Sequence, residues 1–318
     1  MRIFVESWNP EYGSPYNVDS DDAAPGGVAL VEDAGELVFH YAGEVAAREA
    51  IAFVDGVRRG DAWLSQEHPE TGDAVRGIAG TFCVGAAIAD GARCILEPAQ
   101  ATRLVVWGSG MSGHLPSVPG GWSWRSMSVA DTAPDAPLRA LQNRMREEEG
   151  RVAEALAKRG MLTVVDGPLS FIQGYGLPVV GYIKTHHRSL LGPAEHRQVS
   201  RLSVHERTSL FSLGSGSYSC YLRIGTPASD AGPWSGIVRL EIPQAIGLDL
   251  AIDTANQMSA TLPRFAGVAH ADPRAPQNLQ PVGGLETHLR HLLGDPRLAI
   301  RAVREAVRNL TIGQQEIA

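Results

Sequence analysis

Two Asp-Gly pairs, each closing a short apolar run, constrain this chain most. The first is Ile51-Ala52-Phe53-Val54-Asp55-Gly56, and the second is Met161-Leu162-Thr163-Val164-Val165-Asp166-Gly167-Pro168-Leu169. Both read as a buried strand whose last residue is a carboxylate, followed by a glycine that lets the chain turn sharply and approach a ligand. A carboxylate at the end of a core strand loses its hydration and needs a cation to offset the cost. Two such positions in one chain point to a divalent metal site built on a sheet. A third pair, Asp90-Gly91, lies between two short apolar runs and reads as a hairpin turn.

The rest of the pattern alternates strands and helices. Strands are expected near residues 27–31, 36–41, 51–57, 80–89, 93–96, 103–107, 161–165, 179–183, 217–224 and 237–242. An amphipathic helix covers about Pro137 to Arg159, with Pro137 in its first turn and Asp135 as its cap. Further helices are expected at Leu248–Leu262, ended by Pro263, and at Leu285–Leu293 and Arg297–Asn309. With no internal repeat and no low-complexity linker, the simplest reading is one α/β domain over residues 1–318, with its core at about 51–300.

Composition narrows the function. The apolar fraction is 44% and the charged fraction 20%, as in globular proteins that fold in water. A net charge of −7 argues against a protein that coats nucleic acid non-specifically, yet is compatible with a site made of carboxylates. The one basic segment near the candidate site runs from Lys184 to Arg207 and contains Arg188, Arg197 and Arg201, with His186, His187, His196 and His205. No stretch approaches the roughly 18 apolar residues of a membrane span, and Met1–Glu6 has no signal-peptide character. Cys83, Cys94 and Cys220 are too few and too scattered for a disulfide framework or a zinc site. They read as buried thiols, and the cytoplasm is the expected compartment.

Gly108-Ser109-Gly110-Met111-Ser112-Gly113 follows an apolar run and matches the dinucleotide-binding pattern G-x-G-x-x-G. That pattern works only where a helix begins within it, because the pyrophosphate sits on the helix N-terminus. Here two prolines and two glycines follow, in His114-Leu115-Pro116-Ser117-Val118-Pro119-Gly120-Gly121. A loop is expected, not a nucleotide site.

The helix before Asp166 supplies a third acidic group. Its apolar positions Leu138, Leu141, Met145, Val152, Ala153 and Leu156 fall mostly three and four apart and line one face. Within it sits Glu147-Glu148-Glu149. At about 100° per residue, Glu149 falls inside the stripe, Glu148 on its margin and Glu147 toward solvent. The set Asp55, Glu148 or Glu149, and Asp166 is one of hard oxygen donors suited to Mg²⁺ or Mn²⁺.

Val164-Val165-Asp166-Gly167-Pro168-Leu169, followed by Pro178-Val179-Val180-Gly181-Tyr182-Ile183-Lys184, resembles the central signature of the NurA nuclease family, and Phe53-Val54-Asp55-Gly56 resembles its first motif. The resemblance spans roughly Ile51 to Arg207 and weakens toward the C-terminus. It implies an RNase H-like mixed sheet flanked by helices, with additional β and helical elements. It also implies a manganese- or magnesium-dependent DNA nuclease that acts as a homodimer with a HerA-type hexameric ATPase in DNA end resection and repair. By that resemblance Asp55 and Asp166 are strand-borne metal ligands, Glu149 is the helix-borne one, and Lys184 lies by the scissile phosphate. The family's C-terminal metal-binding histidine is assigned to His288, with Asp272 as the alternative. Val57 departs from the family, which commonly has a small hydroxyl residue after the first Asp-Gly.

Arg188, Arg207, Arg274 and Asn278 suit phosphate contacts, while Tyr218 or Tyr221, in an expected strand, could stack on an unpaired base. A catalytically weak adaptor, which binds DNA or the ATPase without cutting, is the alternative from another functional class.

Overall fold

The computed structural model describes residues 3–5, 27–46, 50–172, 176–186, 189–226, 231–268, 270, 272 and 274–315. The N-terminal part is β1 (Ile3–Val5), β2 (Ala29–Leu30) and β3 (Phe39–Tyr41). The long strands β4 (Ala50–Glu67) and β5 (Ala74–Asp90) follow, then β6 (Arg93–Leu96), β7 (Thr102–Trp107) and β8 (Arg125–Ser128). Helix α1 (Ala136–Lys158) leads into β9 (Thr163–Asp166) and β10 (Val179–Ile183). After α2 (Pro193–Val199) come β11 (Glu206–Thr208), β12 (Phe211–Leu213), β13 (Ser217–Arg223) and β14 (Ile237–Pro243). Helices α3 (Leu248–Thr261), α4 (Gln280–Leu292) and α5 (Pro296–Gln315) complete the chain.

The strands form one mixed sheet in the order β2-β12-β13-β14-β10-β9-β4-β5-β7-β8. Its centre, β7-β5-β4-β9-β10, is an antiparallel meander followed, across α1, by two strands parallel to the first. This is the RNase H-like mixed sheet expected from the motifs. Strands covered on both faces run apolar throughout, and β4 does so from Ile51 to Val54. Ala52 and Val54 pack with Val165 under Leu141, Met145 and Leu156 of α1. Ile51, Phe53 and Val57 pack on the other face with Val164 and Val180 under α3 and α4. Farther along that second face, Ala62, Leu64, Val105 and Trp107 are covered by Ala302, Val303, Ala306 and Val307 of α5.

Several expectations need correction. Asp55 does not end its strand, since β4 runs on through Arg58, Arg59 and Asp61 to Glu67. The polar residues are tolerated because each finds a partner, as when Arg59 and Thr81 bind Asp61. Asp135 makes no side-chain cap to α1 and pairs with Arg139 instead. Cys94 is exposed, whereas Cys83 and Cys220 are buried. Asp90-Gly91 does turn β5 into β6, with Gly91 at φ +57°, and residues 108–113 form a loop. No helix among the described residues is long and apolar enough to cross a membrane.

Arg207 is a structural residue. Its guanidinium is fully buried and binds both oxygens of Glu32 at 2.8 and 2.9 Å, and its Nε donates to Asn256. Burial pushes the Glu32 carboxyl up, but the hydrogen bond and charge of Arg207 outweigh it and hold the group below its usual range. Arg207→Ala leaves this carboxylate buried without its guanidinium partner, with the Leu210 N–H as its remaining close donor. The expected loss of stability is about 3–5 kcal/mol by urea denaturation, and a loss within error of zero would contradict the assignment.

Candidate metal centre

Parallel pairing of β4 and β9 builds the site. Phe53 lies beside Val164 and Val54 beside Val165, so Asp55 and Asp166 emerge next to each other on the α4 side of the sheet. The chain turns after Asp166 with Gly167 at φ +134°, a region closed to other residues. Gly167 N–H donates to the Tyr182 carbonyl at 3.0 Å and fixes the turn. Helix α4 settles on Gly85, the cross-strand partner of Asp55, through Leu285 and Leu289. That seating brings Glu286 down onto the aspartates. Oxygens of Asp55, Asp166 and Glu286 lie within 4.8 Å of one another.

Protein cations reach the rim of this group. Lys184 Nζ donates to Asp166 Oδ2 at 2.5 Å and to Asn278 Oδ1 at 2.7 Å. The Asn278 amide donates to Asp272 at 2.6 Å. Arg274 bonds Asp272 and Glu286, and Arg290 bonds Glu286 at 3.1 Å. The Tyr182 hydroxyl donates to the Gln277 carbonyl at 2.6 Å and holds the loop that carries Asn278. A cavity of about 550 Å³, lined by Asp272, Arg274, Asn278, Gly283, Glu286 and Arg290, opens beside Glu286.

Electrostatics mark Asp55 as the group in greatest need of a cation. Burial, then the charges of Asp166 and Glu149, push its carboxyl well above the usual range, against the pull of Lys184. Among the described residues it accepts no hydrogen bond, although it is 8% exposed. Three clustered carboxylates, one of them buried and without a donor, fit a hard divalent cation. Asp272 is different: the Arg274 hydrogen bond holds it down at about 2.

Glu149 is buried, as its place in the apolar stripe predicts, but it lies outside the converging trio. It comes from α1 on the other face of the sheet and packs against Gly56, where a Cβ would meet its Oε1 at 2.4 Å. Gly56 therefore serves close packing and not a turn. Burial, opposed by Arg146 and reinforced by Asp166, pushes the Glu149 carboxyl up to about 7.

The other expected site residues divide by position. Glu148 is on the exposed side of α1, paired with Arg151 at 2.9 Å, and Glu147 pairs with Arg144. His288 is half-buried on α4, two residues from Glu286 and so about 200° around the helix from it. Asn278 is 2% exposed and braces Lys184. Arg274 is half-exposed at the site's edge. Arg207 and Tyr221 are buried, the latter among Phe211, His186 and Trp234, and neither can touch a strand of DNA. Tyr218 is partly buried in β13. Arg188 lies outside the described residues. Glu286 was missed, although it sits between Val282 and Leu289 in the apolar stripe of α4.

No family model matches the chain, and no curated protein matches it. Solved structures that resemble it include the NurA nuclease from Sulfolobus solfataricus, 11% identical over 88% of this chain and 87% of that one, with a TM-score of 0.45. Another is the catalytic domain of human endonuclease V, 15% identical over 80% and 87%, with a TM-score of 0.37.

Two measurements probe the centre. Mn²⁺ or Mg²⁺ is expected to raise the melting temperature, and Asp55→Asn or Glu286→Gln to abolish the rise; an unchanged rise in both variants would exclude these residues as ligands. Without metal, a carboxyl whose folded pKa is raised destabilises as pH climbs, because the unfolded chain ionises first. Glu149, with an ordinary value of 4.5 and a folded value of about 7, therefore lowers stability between those pH values, by on the order of 3 kcal/mol. The Glu149→Gln variant should show a flatter stability profile from pH 4.5 to 7 than the parent; identical profiles would refute the shift.

Proposed function

We propose that this chain is a divalent-metal-dependent nuclease that hydrolyses phosphodiester bonds in DNA. The observation that carries the reading is the convergence of Asp55, Asp166 and Glu286 within 4.8 Å. The signature from Val164 to Lys184 supports it from the sequence side. Asp55, Asp166 and Glu286 would hold Mn²⁺ or Mg²⁺, with Glu286 taking the helix-borne position first assigned to Glu149. When bound, such an ion polarises a phosphodiester and lowers the pKa of water.

The chain's own groups do the rest. Lys184, bonded to Asp166, would orient that carboxylate and offer positive charge to an incoming phosphate oxygen. Asn278 and Tyr182 keep Lys184 aimed through the 277–278 segment. Arg274 neutralises Glu286 and faces the cavity beside it. Glu149 sits behind β4 and raises the negative field at Asp55. Dimer formation, docking on a HerA-type ATPase and a role in DNA end resection belong to the same proposal and rest on the motif resemblance.

A second reading has one observation in its favour: Lys184 and Arg274 already pair with two of the three carboxylates. On that reading the fold binds DNA or an ATPase without cutting. Mn²⁺-dependent cleavage of a labelled oligonucleotide separates the two. Asp55→Ala and Asp166→Ala should each lower the rate about a hundredfold or more while remaining folded, and His288→Ala should leave it unchanged. Full activity in both aspartate variants would overturn the nuclease site, and DNA binding with no cleavage by the parent would favour the adaptor.

A further inference from the structure

The exposed face of α5 carries Arg297, Arg301, Arg304 and Arg308. Spacings of four, three and four residues put them in one line along the helix, over about 16 Å at about 1.5 Å per residue. None of the four is paired with a carboxylate among the described residues, and the one acidic residue from 296 to 311, Glu305, is half-buried. This concentration of charge stands out in a chain of net charge −7.

The opposite face of α5 is rigidly seated. Ala299, Ala302, Val303, Ala306 and Val307 are buried against the sheet. The turn into α5 is tied to the strand that carries Asp55. Arg59 of β4 donates to the carbonyls of Gly294 and Leu293 at 2.6 and 3.2 Å. Arg59 is four residues beyond Asp55, roughly 13 Å along the strand, and α5 covers the same face of the sheet as Asp55.

We infer that the Arg297–Arg308 face of α5 is a track for a nucleic-acid backbone, which holds the strand beyond the segment at the carboxylates. The inference rests on the nuclease reading for the direction of the strand, but its binding step stands apart from cleavage. A line of arginines complements a line of phosphates, since the planar guanidinium binds phosphate through paired hydrogen bonds. Duplex DNA presents about one charge per 1.7 Å, and phosphate contacts of this kind carry no sequence preference.

The test measures binding of the full chain to a 30-base-pair duplex by fluorescence anisotropy, from 50 to 200 mM salt, in EDTA so that no cutting occurs. The quadruple variant R297Q/R301Q/R304Q/R308Q should bind about tenfold more weakly or worse at the lowest salt, with the slope of log K against log salt shallower by about 3. The milder R301Q/R304Q should lie between it and the parent, and unchanged urea midpoints guard against misfolding. In Mn²⁺, the quadruple variant should show a raised KM on the long duplex and an unchanged rate on a trinucleotide. Parent-like affinity and salt slope would overturn the track. So would intact DNA binding with lost binding to phosphatidylserine vesicles, which would identify a membrane surface instead. A parent that binds the duplex, loses affinity on substitution and never cleaves would retain the track and discard the nuclease reading.

Discussion

The parallel pairing of β4 with β9 places Asp55 and Asp166 side by side on one face of a sheet that is otherwise apolar there. Burial, and then the charge of Asp166 beside it, push the Asp55 carboxyl well above its usual range. Everything around the pair answers that cost. Lys184 follows β10, the next strand out, and takes one oxygen of Asp166; Asn278 braces Lys184, Asp272 braces Asn278, and Arg274 links Asp272 to Glu286. The members come from β4, β9, the end of β10, the segment before α4 and α4 itself, so the chain's long-range contacts and its electrostatics are the same network.

The site is layered about β4. In front lie the three carboxylates and their cations; behind, through the gap left by Gly56, lies Glu149. A side chain at residue 56 would push α1 away and remove this rear charge. Burial pushes the Glu149 carboxyl up to about 7, and its charge in turn helps to push Asp55 up from behind the strand.

Much of the core was legible because it is local. The Val164–Lys184 signature, the α1 stripe and the Asp90-Gly91 turn all express their structure within a few residues. Asp55 was correctly read as buried but misread as terminal, because Arg58, Arg59 and Asp61 look like loop residues until their cross-strand and helix-turn partners are known. Arg207 looked like a phosphate contact for the same reason: its partner Glu32 is 175 positions away. Glu286 was within reach, since the stripe test that selected Glu149 selects it as well. The basic face of α5 was hidden by the overall acidity of the chain, since net charge carries no information about segregation of charge on one helix.

Two buried ionic groups in this molecule show how structure and function part company. Glu32 accepts both guanidinium bonds of Arg207 and the N–H of Leu210, so its hydrogen-bonding capacity is largely met and its carboxyl is held charged at no need of a ligand. Asp55 is equally buried, lies beside two other carboxylates with a third behind its strand, and accepts no hydrogen bond among the described residues. Native interiors satisfy their polar groups, so a pocket rich in negative charge and poor in donors is stable only to the extent that something from outside completes it. Lys184 and Arg274 reduce the deficit at Asp166 and Glu286 but leave Asp55 without a donor of its own. That residual imbalance distinguishes Asp55 from the Glu32–Arg207 salt bridge, and it is set by where β4, β9 and α4 meet.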